Sequence, residues 1–215
     1  MNEHQNKVEL IGTYGSDETH ALSAWTSTSR ELTDEKRGRM DKLLNKLASE
    51  GHHTVFEKSS LHFLITTEIA THIQTVKHRI GVSFNAESAR YKKLNEGKFY
   101  VPDDWSNDEQ VLLVDHFIDS FKKYTDCYNR LLAAGMQKKR AKESARFYLP
   151  YANQLTADVM FNFRSFMHFV GLRYSEHAQK EINDLTKQML ILVEQTGQFT
   201  LSLNAFGWTK DKIYA

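Results

Sequence analysis

The chain has 215 residues, which is long enough for one sizeable hydrophobic core or at most two small domains. Its 28 basic and 27 acidic residues nearly cancel, so no overall field favours nucleic acid or an anionic membrane surface. No apolar run is long enough to span a bilayer, and the first residues lack the apolar segment of a signal peptide. We therefore expect a cytoplasmic globular protein with neither a nucleic-acid nor a membrane partner.

The first half of the chain predicts two strands and three helices. Residues 8–14 predict a strand, and a short helix is expected through residues 21–25. Residues 34–49 predict an amphipathic helix, because Met40, Leu43 and Leu47 recur at three- and four-residue steps and Gly51 can end it. Residues 59–67 alternate as a strand, and the stripe of Ile69, Ile73 and Val76 predicts a third helix.

The second half predicts mostly helices. Ser106 and Glu109 have the spacing of a capping box, which opens a long helix that closes near Gly135. A further helix starts near Gln137 and must end before Pro150. Residues 155–163 alternate as a strand, and helices are expected over residues 166–172 and 178–192. Since no linker or repeat interrupts the pattern, we expect one α/β domain over residues 1–215.

Cysteine and histidine spacing argues against a metal site. A single cysteine, Cys127, excludes an internal disulfide and any site built from several cysteines. It stands among apolar residues of the long helix, where a small packing side chain is expected rather than a nucleophile. No two histidines have His-Glu-x-x-His or a similar ligand spacing. We expect His72 and His168 to be core or interface residues if judged by spacing alone.

A basic cluster stands at the end of the third predicted helix. Lys77, His78 and Arg79 precede Ser88 by eight intervening residues, and Arg90 follows two residues later. A helix C-terminus favours cations, which explains the charge of the cluster but not the Ser-x-Arg-Tyr that follows. The planar guanidinium binds phosphate or the carbonyl edge of a pyrimidine through paired hydrogen bonds. Further arginines near the ends of predicted elements are compatible with a convergent anion site: Arg146, Arg164 and Arg173.

Common nucleotide and hydrolase motifs are absent from the sequence. It contains no Gly-x-Ser-x-Gly elbow, no P-loop and no Gly-x-Gly-x-x-Gly fingerprint. Any flavin would therefore have to bind without the dinucleotide fingerprint.

Four segments, in order along the chain, resemble the flavin-dependent thymidylate synthases. They are Gly-His-His-Thr-Val-Phe-Glu at residues 51–57, the cluster at residues 77–91, Ala-Arg-Phe-Tyr-Leu-Pro at residues 145–150, and residues 162–182. The resemblance implies an α/β (α+β) fold with a central, mostly antiparallel sheet flanked by long helices. It also implies a homotetramer whose active sites are shared between subunits.

The resemblance implies an activity as well. The family methylates dUMP to dTMP, with methylenetetrahydrofolate as carbon donor and NADPH as reductant of FAD. Positions that contact the flavin in the family are occupied here by Thr54, Lys77, His78, Arg79, Glu87, Asn162, Phe163, Arg164 and His168. Positions that contact dUMP are occupied by Gln74, Glu87, Ser88, Ala89, Arg90, Arg146 and Arg173.

Within these sets, Arg173 is expected to be the catalytic residue. It matches the arginine that favours ionisation at N3 of the uracil, and a fixed cation there stabilises the charge that develops in the ring. Ser88 is interpreted as a substrate contact, because no general base is evident beside it. Glu87 is expected to fill the acidic position of the motif after a one-residue shift.

Two alternatives remain open from the sequence. Lys77 stands where the family has Arg, and lysine keeps the charge but loses the two-pronged hydrogen bond. That difference favours a non-catalytic flavin- or nucleotide-binding protein of the same fold. A basic-aromatic module for single-stranded nucleic acid would show strongly salt-dependent binding and no flavin, and the balanced net charge argues against it.

Overall fold

The computed structural model describes residues 4–88 and 98–215. These residues form one four-stranded antiparallel sheet with the strand order β1-β2-β4-β3. The strands are β1 (Lys7–Tyr14), β2 (Ser60–Glu68), β3 (Val82–Ala86) and β4 (Gln154–Asn162). The prediction of a mixed α/β fold around a mostly antiparallel sheet is confirmed.

Helices make up most of the remaining described chain. They are α1 (Asp17–Trp25), α2 (Asp34–Ser49), α3 (Ile69–Val76), α4 (Asn107–Ala133), α5 (Lys138–Ala145), α6 (Phe163–Arg173), α7 (Lys180–Gln195), α8 (Thr200–Ala205) and α9 (Lys210–Tyr214). Short 3-10 segments cover His53–Glu57 and Arg146–Tyr148. None of the helices in the described ranges combines the length and the apolar character needed to cross a membrane.

Local sequence signals place several of these elements correctly. Helix α2 has the predicted bounds, and the Thr33 side chain accepts a hydrogen bond from Lys36 N at its start. Helix α4 begins as predicted, with Ser106 Oγ accepting from Glu109 N at 3.4 Å. Gly135, which follows α4, has a φ of 84°, a left-handed conformation in which glycine has no steric penalty.

Other expectations differ from the structure. The strand predicted to run through Phe163 ends at Asn162, and Phe163 already belongs to α6. Strand β3 and the short helices α8 and α9 were not predicted. The apolar stripe of α3 is turned outward, since Ile73 and Val76 are 43% and 41% exposed while the polar Thr71 and Thr75 are buried.

The chain divides into two compact units. Unit 1 comprises Met1–Lys7, Ile65–Thr75 and Asn85–Ala157, and unit 2 comprises Val8–Leu64, Val76–Phe84 and Asp158–Ala215. The single domain over residues 1–215 stays a prediction.

Unit 1 has an aromatic core built around helix α4. Phe99 stacks on Phe117 with ring centroids 4.1 Å apart, and Phe121 and Tyr124 extend the cluster along the helix. Cys127 is partly buried against this cluster. It therefore packs as a small apolar side chain, as its sequence context predicts.

Unit 2 has an aromatic core that encloses a buried histidine. The His20 ring lies within 6 Å of the rings of Phe56, Phe163 and Phe199. Burial lowers the pKa of His20 to about 4, because the charged imidazolium would lose its hydration there. His20 is therefore neutral near pH 7.

A chain of hydrogen bonds runs through this core. His20 Nε2 lies 2.8 Å from Ser59 Oγ, and His20 Nδ1 lies 2.8 Å from Ser202 Oγ. The Ser202 hydroxyl donates to Asp17 Oδ1 at 2.6 Å, so Ser202 Oγ must accept from Nδ1–H of the histidine. Ser59 then donates to Nε2. Every member of the chain has a partner, which is the condition under which buried polar groups are tolerated.

Candidate active site

A cavity of about 390 Å³ lies beside the start of helix α6 in unit 2. We call it the first cavity, and it is lined by His53, Ile80, Arg164, Ser165, Met167, His168 and Phe206. Two of the residues assigned to the flavin by resemblance, Arg164 and His168, therefore line one cavity. They stand four positions apart in α6, a spacing that puts both on one face of a helix.

Helix α6 begins directly at the end of β4. Asn162 ends the strand and caps the helix, since its Oδ1 accepts from Ser165 N at 2.8 Å. This bond satisfies one of the backbone donors that a helix start leaves open. The N-terminus of α6 carries partial positive charge, which favours an anion nearby.

Gly81 holds the basic segment of residues 77–79 close to the start of α6. Its carbonyl accepts from Asn162 N at 2.9 Å. A Cβ at this position would lie 2.3 Å from both Asn162 Nδ2 and Ser165 Oγ, and its φ is 66°. Only glycine fits this close approach without a shift of its neighbours.

His78 and Arg173 are in direct contact. Arg173 Nε donates to His78 Nε2 at 3.0 Å, and the His78 ring packs edge-on against Phe169 with centroids 4.9 Å apart. Burial, the positive charge of Arg173 and the proximity of His168 together lower the pKa of His78 to about 4. His78 is therefore neutral near pH 7 and can serve as an acceptor.

Arg164 forms an ion pair with Glu57 at 2.5 Å. Glu57 also lines a second cavity of about 540 Å³, together with Tyr14, Thr19, Ser23, Thr26, Arg30, Lys58, Ser59 and Ser60. The ion pair therefore joins a residue of the first cavity to a residue of the second. Both cavities belong to unit 2, and two of the residues that line the second, Arg30 and Lys58, are cations.

The other flavin positions of unit 2 differ in exposure. Thr54 is exposed in the 3-10 segment between His53 and Glu57. Lys77 and Arg79 are also exposed, with no ion pair found for either within the described ranges. Phe163 is fully buried against Phe199, so only its backbone can be offered to a ligand.

Unit 1 holds most of the positions assigned to dUMP. The Glu87 carboxylate accepts from Thr156 N at 2.8 Å and from Lys98 Nζ at 2.6 Å. Gln74 and Ser88 are half-buried, and Arg146 is exposed at the start of its 3-10 segment. Ala89 and Arg90 lie outside the described residues.

Several residues of the site region were not assigned a role from the sequence. His53 and Glu57 stand in the segment of residues 51–57 that resembles the family, which is a usable signal. Ile80, Gly81 and Phe206 had none, because their significance depends on contacts with distant parts of the chain. Within residues 4–88 and 98–215, no group of three or more His, Cys, Asp or Glu side chains is arranged to hold a metal ion.

Comparison with known proteins relates the chain to one family. The family model described as thymidylate synthase complementing protein matches residues 9–196. A flavin-dependent thymidylate synthase of Pseudothermotoga lettingae is 34% identical over 182 residues, covering 81% of this chain and 79% of the relative. One of Streptomyces coelicolor is 30% identical over 194 residues, covering 80% and 77%.

Solved structures give the same relationship. A UMP/dUMP methylase, PolB from Streptomyces cacaoi bound with 5-Br dUMP, superposes with a TM-score of 0.78 at 29% identity. The match covers 95% of this chain and 96% of the other. The chain therefore belongs to the thymidylate synthase complementing protein family, the flavin-dependent thymidylate synthases.

Proposed function

We propose that the protein converts dUMP to dTMP by reductive methylation. Methylenetetrahydrofolate is the carbon donor, and NADPH supplies reducing power through bound FAD. The observation that carries the proposal is the contact between His78 and Arg173, which holds a guanidinium beside the His78 ring. His168 lines that cavity, and its ring centroid lies 6.2 Å from that of His78.

The residues of unit 2 fit a flavin dinucleotide. The start of α6, Arg164, Lys77 and Arg79 provide positive charge for a pyrophosphate. Arg164 lines the first cavity and its partner Glu57 lines the second, which supports the proposal that a ligand with two ends uses both. When bound, the flavin supplies hydride chemistry that side chains lack.

Arg173 has the properties required for activating a pyrimidine. Methylation at C5 needs electron density in the ring, and a fixed guanidinium beside N3 stabilises the negative charge that develops there. An arginine already held by a hydrogen bond loses less conformational freedom when it meets the substrate. We infer that this fixed cation is the main catalytic contribution of unit 2.

Residues of unit 1 are further candidates for contacts to dUMP, in addition to Arg173. Arg146 is exposed and fits a phosphate, which a guanidinium binds through paired hydrogen bonds. Glu87 already accepts two hydrogen bonds within unit 1, so we assign it mainly to ordering the segment that leads to Ser88.

We also propose a homotetramer with active sites shared between subunits. Helix α4 exposes Val111, Leu112 and Ile118, large apolar side chains that a second copy can cover. Light scattering of the purified protein is expected to give four times the 25.0 kDa chain mass. A monomer at micromolar concentration would contradict this part of the proposal.

The activity is tested by anaerobic assay of FAD-replete protein with dUMP, methylenetetrahydrofolate and NADPH. We expect dTMP, and none when FAD, folate or NADPH is omitted. Because the solved relative is described as a UMP/dUMP methylase, UMP is assayed in parallel. Absence of dTMP from protein that binds FAD would overturn the proposal.

The second candidate is a non-catalytic flavin-binding protein, and Lys77 is the observation that favours it. Lys77→Arg restores the two-pronged hydrogen bond at an exposed position, where the change does not disturb packing. If the native chain is inactive and Lys77→Arg makes dTMP, the non-catalytic function is correct. If both proteins are active at similar rates, that candidate is excluded.

A further inference from the structure

The hydrogen bond between Arg173 and His78 fixes the orientation of the Arg173 guanidinium as well as its distance from the ring. A guanidinium is planar, and its Nε–H lies in that plane. A bond at Nε therefore sets the direction in which both terminal NH₂ groups point. The bond length of 3.0 Å is ordinary for a hydrogen bond between two nitrogens.

The protonation state of His78 follows from this bond. Arg173 Nε can only donate, so His78 Nε2 must be the acceptor and must carry no proton. The remaining ring proton is then on Nδ1. A doubly protonated His78 would place two N–H groups against each other, so the contact exists only with the neutral ring.

The surroundings of His78 support a single ring orientation. Phe169 packs edge-on against the ring with centroids 4.9 Å apart, and the His168 ring centroid lies 6.2 Å from that of His78 with an interplanar angle of 64°. Gly81, three residues on, is held by Asn162 and cannot move without losing its bond to the helix start. His78 Nε2 is therefore held in place by Phe169 of α6 and by the turn at Gly81.

We propose that His78 is a positioning residue for Arg173, which orients the guanidinium toward the pyrimidine ring through its unprotonated Nε2. This inference rests on the proposed function, because it takes Arg173 as the residue that contacts the substrate. It gives His78 a role that differs from binding the flavin. A flavin contact would change cofactor occupancy, whereas an orienting contact changes the reactivity of bound dUMP.

Two variants of His78 distinguish the effect of losing the hydrogen-bond acceptor from the effect of changing the size of the side chain. His78→Gln places an amide oxygen near the position of Nε2, and His78→Met fills similar space without an acceptor. For His78→Met we expect a fall in kcat by a factor of roughly 10 to 100, the cost of losing one hydrogen bond to a charged group. For His78→Gln we expect recovery of most of that loss.

The contact itself is tested by a double-mutant cycle with Arg173→Lys, which keeps the charge but removes Nε–H. If His78 acts through Arg173, the effect of His78→Met is much smaller in the Arg173→Lys background than in the native chain. FAD content is measured from the flavin absorbance of each purified variant. Equilibrium dUMP affinity is measured by calorimetry without folate, which gives a readout independent of turnover.

The outcomes are distinct. Similar rates for His78→Gln and His78→Met, or equal effects of His78→Met in both backgrounds, would overturn the positioning role. A loss explained entirely by lower FAD content would also overturn it and return His78 to flavin binding. If the native chain makes no dTMP, the proposed function fails first. The calorimetric cycle then still decides whether His78 acts through Arg173 on nucleotide binding.

Discussion

Two candidate site residues of unit 2, Arg173 and His78, are in contact with each other, whereas Glu87 of unit 1 is bonded to groups outside the candidate set. In unit 2, Arg173 bonds to His78, and Asn162 caps the helix that carries Arg164. In unit 1, the Glu87 carboxylate is bonded to Lys98 and to a strand amide. Thus these candidate residues of unit 2 are joined by hydrogen bonds within unit 2, and Glu87 of unit 1 is supported separately.

The hydrophobic cores of the two units differ in polarity. Unit 1 packs aromatic rings along α4, and the cluster contains no charged side chain. The core of unit 2 encloses His20, whose ring is hydrogen-bonded to Ser202. The Ser202 hydroxyl is bonded in turn to Asp17. A chain of buried hydrogen bonds favours one arrangement of the side chains in it. It also makes the folding stability depend on the protonation of those side chains.

The largest expected effect is a loss of stability of unit 2 in acid. The pKa of His20 falls from 6.5 unfolded to about 4 folded. Between these values the unfolded chain binds the proton and the folded chain does not, so the stabilisation is complete above pH 6.5 and declines toward pH 4. The decline corresponds to about 3 kcal/mol for this single group. Asp17 opposes it, because burial raises the pKa of its carboxyl and favours the folded state at low pH.

Urea unfolding of the native chain and of His20→Gln between pH 7 and pH 4 measures this effect. We expect the variant to be less stable at pH 7 but to lose less stability on acidification. Burial also lowers the pKa of His72 in unit 1, so hydrogen exchange of separate peptides is needed. Protection lost in α8 before α4 supports the contrast between the units, and simultaneous loss contradicts it.

The next effect tests whether Arg164 of unit 2 binds FAD and Arg146 of unit 1 binds dUMP. Arg164→Ala is expected to reduce FAD affinity by a factor of about 10 to 100, because a charged hydrogen bond to the cofactor is lost. Arg146→Ala is expected to reduce dUMP affinity by a similar factor and to leave FAD content unchanged. Flavin absorbance and dUMP calorimetry on both variants measure this. Arg140→Ala, which removes a surface cation on α5, is the matched control. Equal effects of Arg164→Ala and Arg146→Ala on both ligands would show that the ligands are not divided in this way.

The smallest effect compares two glycines with left-handed backbones. Gly81→Ala in unit 2 combines strain at a φ of 66° with a clash against Asn162 and Ser165. Gly135→Ala in unit 1 has a φ of 84° and open space around the new methyl group. We expect Gly135→Ala to cost about 1 kcal/mol of stability, and Gly81→Ala about 2 kcal/mol with lowered FAD content. Thermal unfolding and flavin absorbance measure both, and an equal cost for the two would show that the clash is relieved by movement.

Elements with strong local signals were predictable from the sequence. Helix α2 follows from its periodicity and from Gly51 after its end, and α4 follows from the capping box at Ser106. Helices α8 and α9 have six and five residues, which is too short for a periodic pattern to develop. Strand β3 also has only five residues, which stand between the basic cluster and Ser88 and give no periodic signal of their own.

The site was predictable only as far as local motifs reach. Resemblance assigned Arg164, His168 and Arg173, but it could not show that Arg173 contacts His78, which is 95 residues away. The sequence around His20 does not indicate its buried role, because its partners Ser59 and Ser202 are 39 and 182 residues distant. The role of Gly81 is equally non-local, since its neighbours stand on another element.

The junction between β4 and α6 has a consequence for insertions and deletions. Strand and helix meet at consecutive residues, Asn162 and Phe163, with no loop to absorb a change in length. One extra residue there would rotate the helix by about 100° and carry Arg164, His168 and Arg173 away from their present directions. Insertions and deletions at this point should therefore abolish function far more often than point substitutions nearby. The junction sets the rotation of the whole helix α6 about its axis.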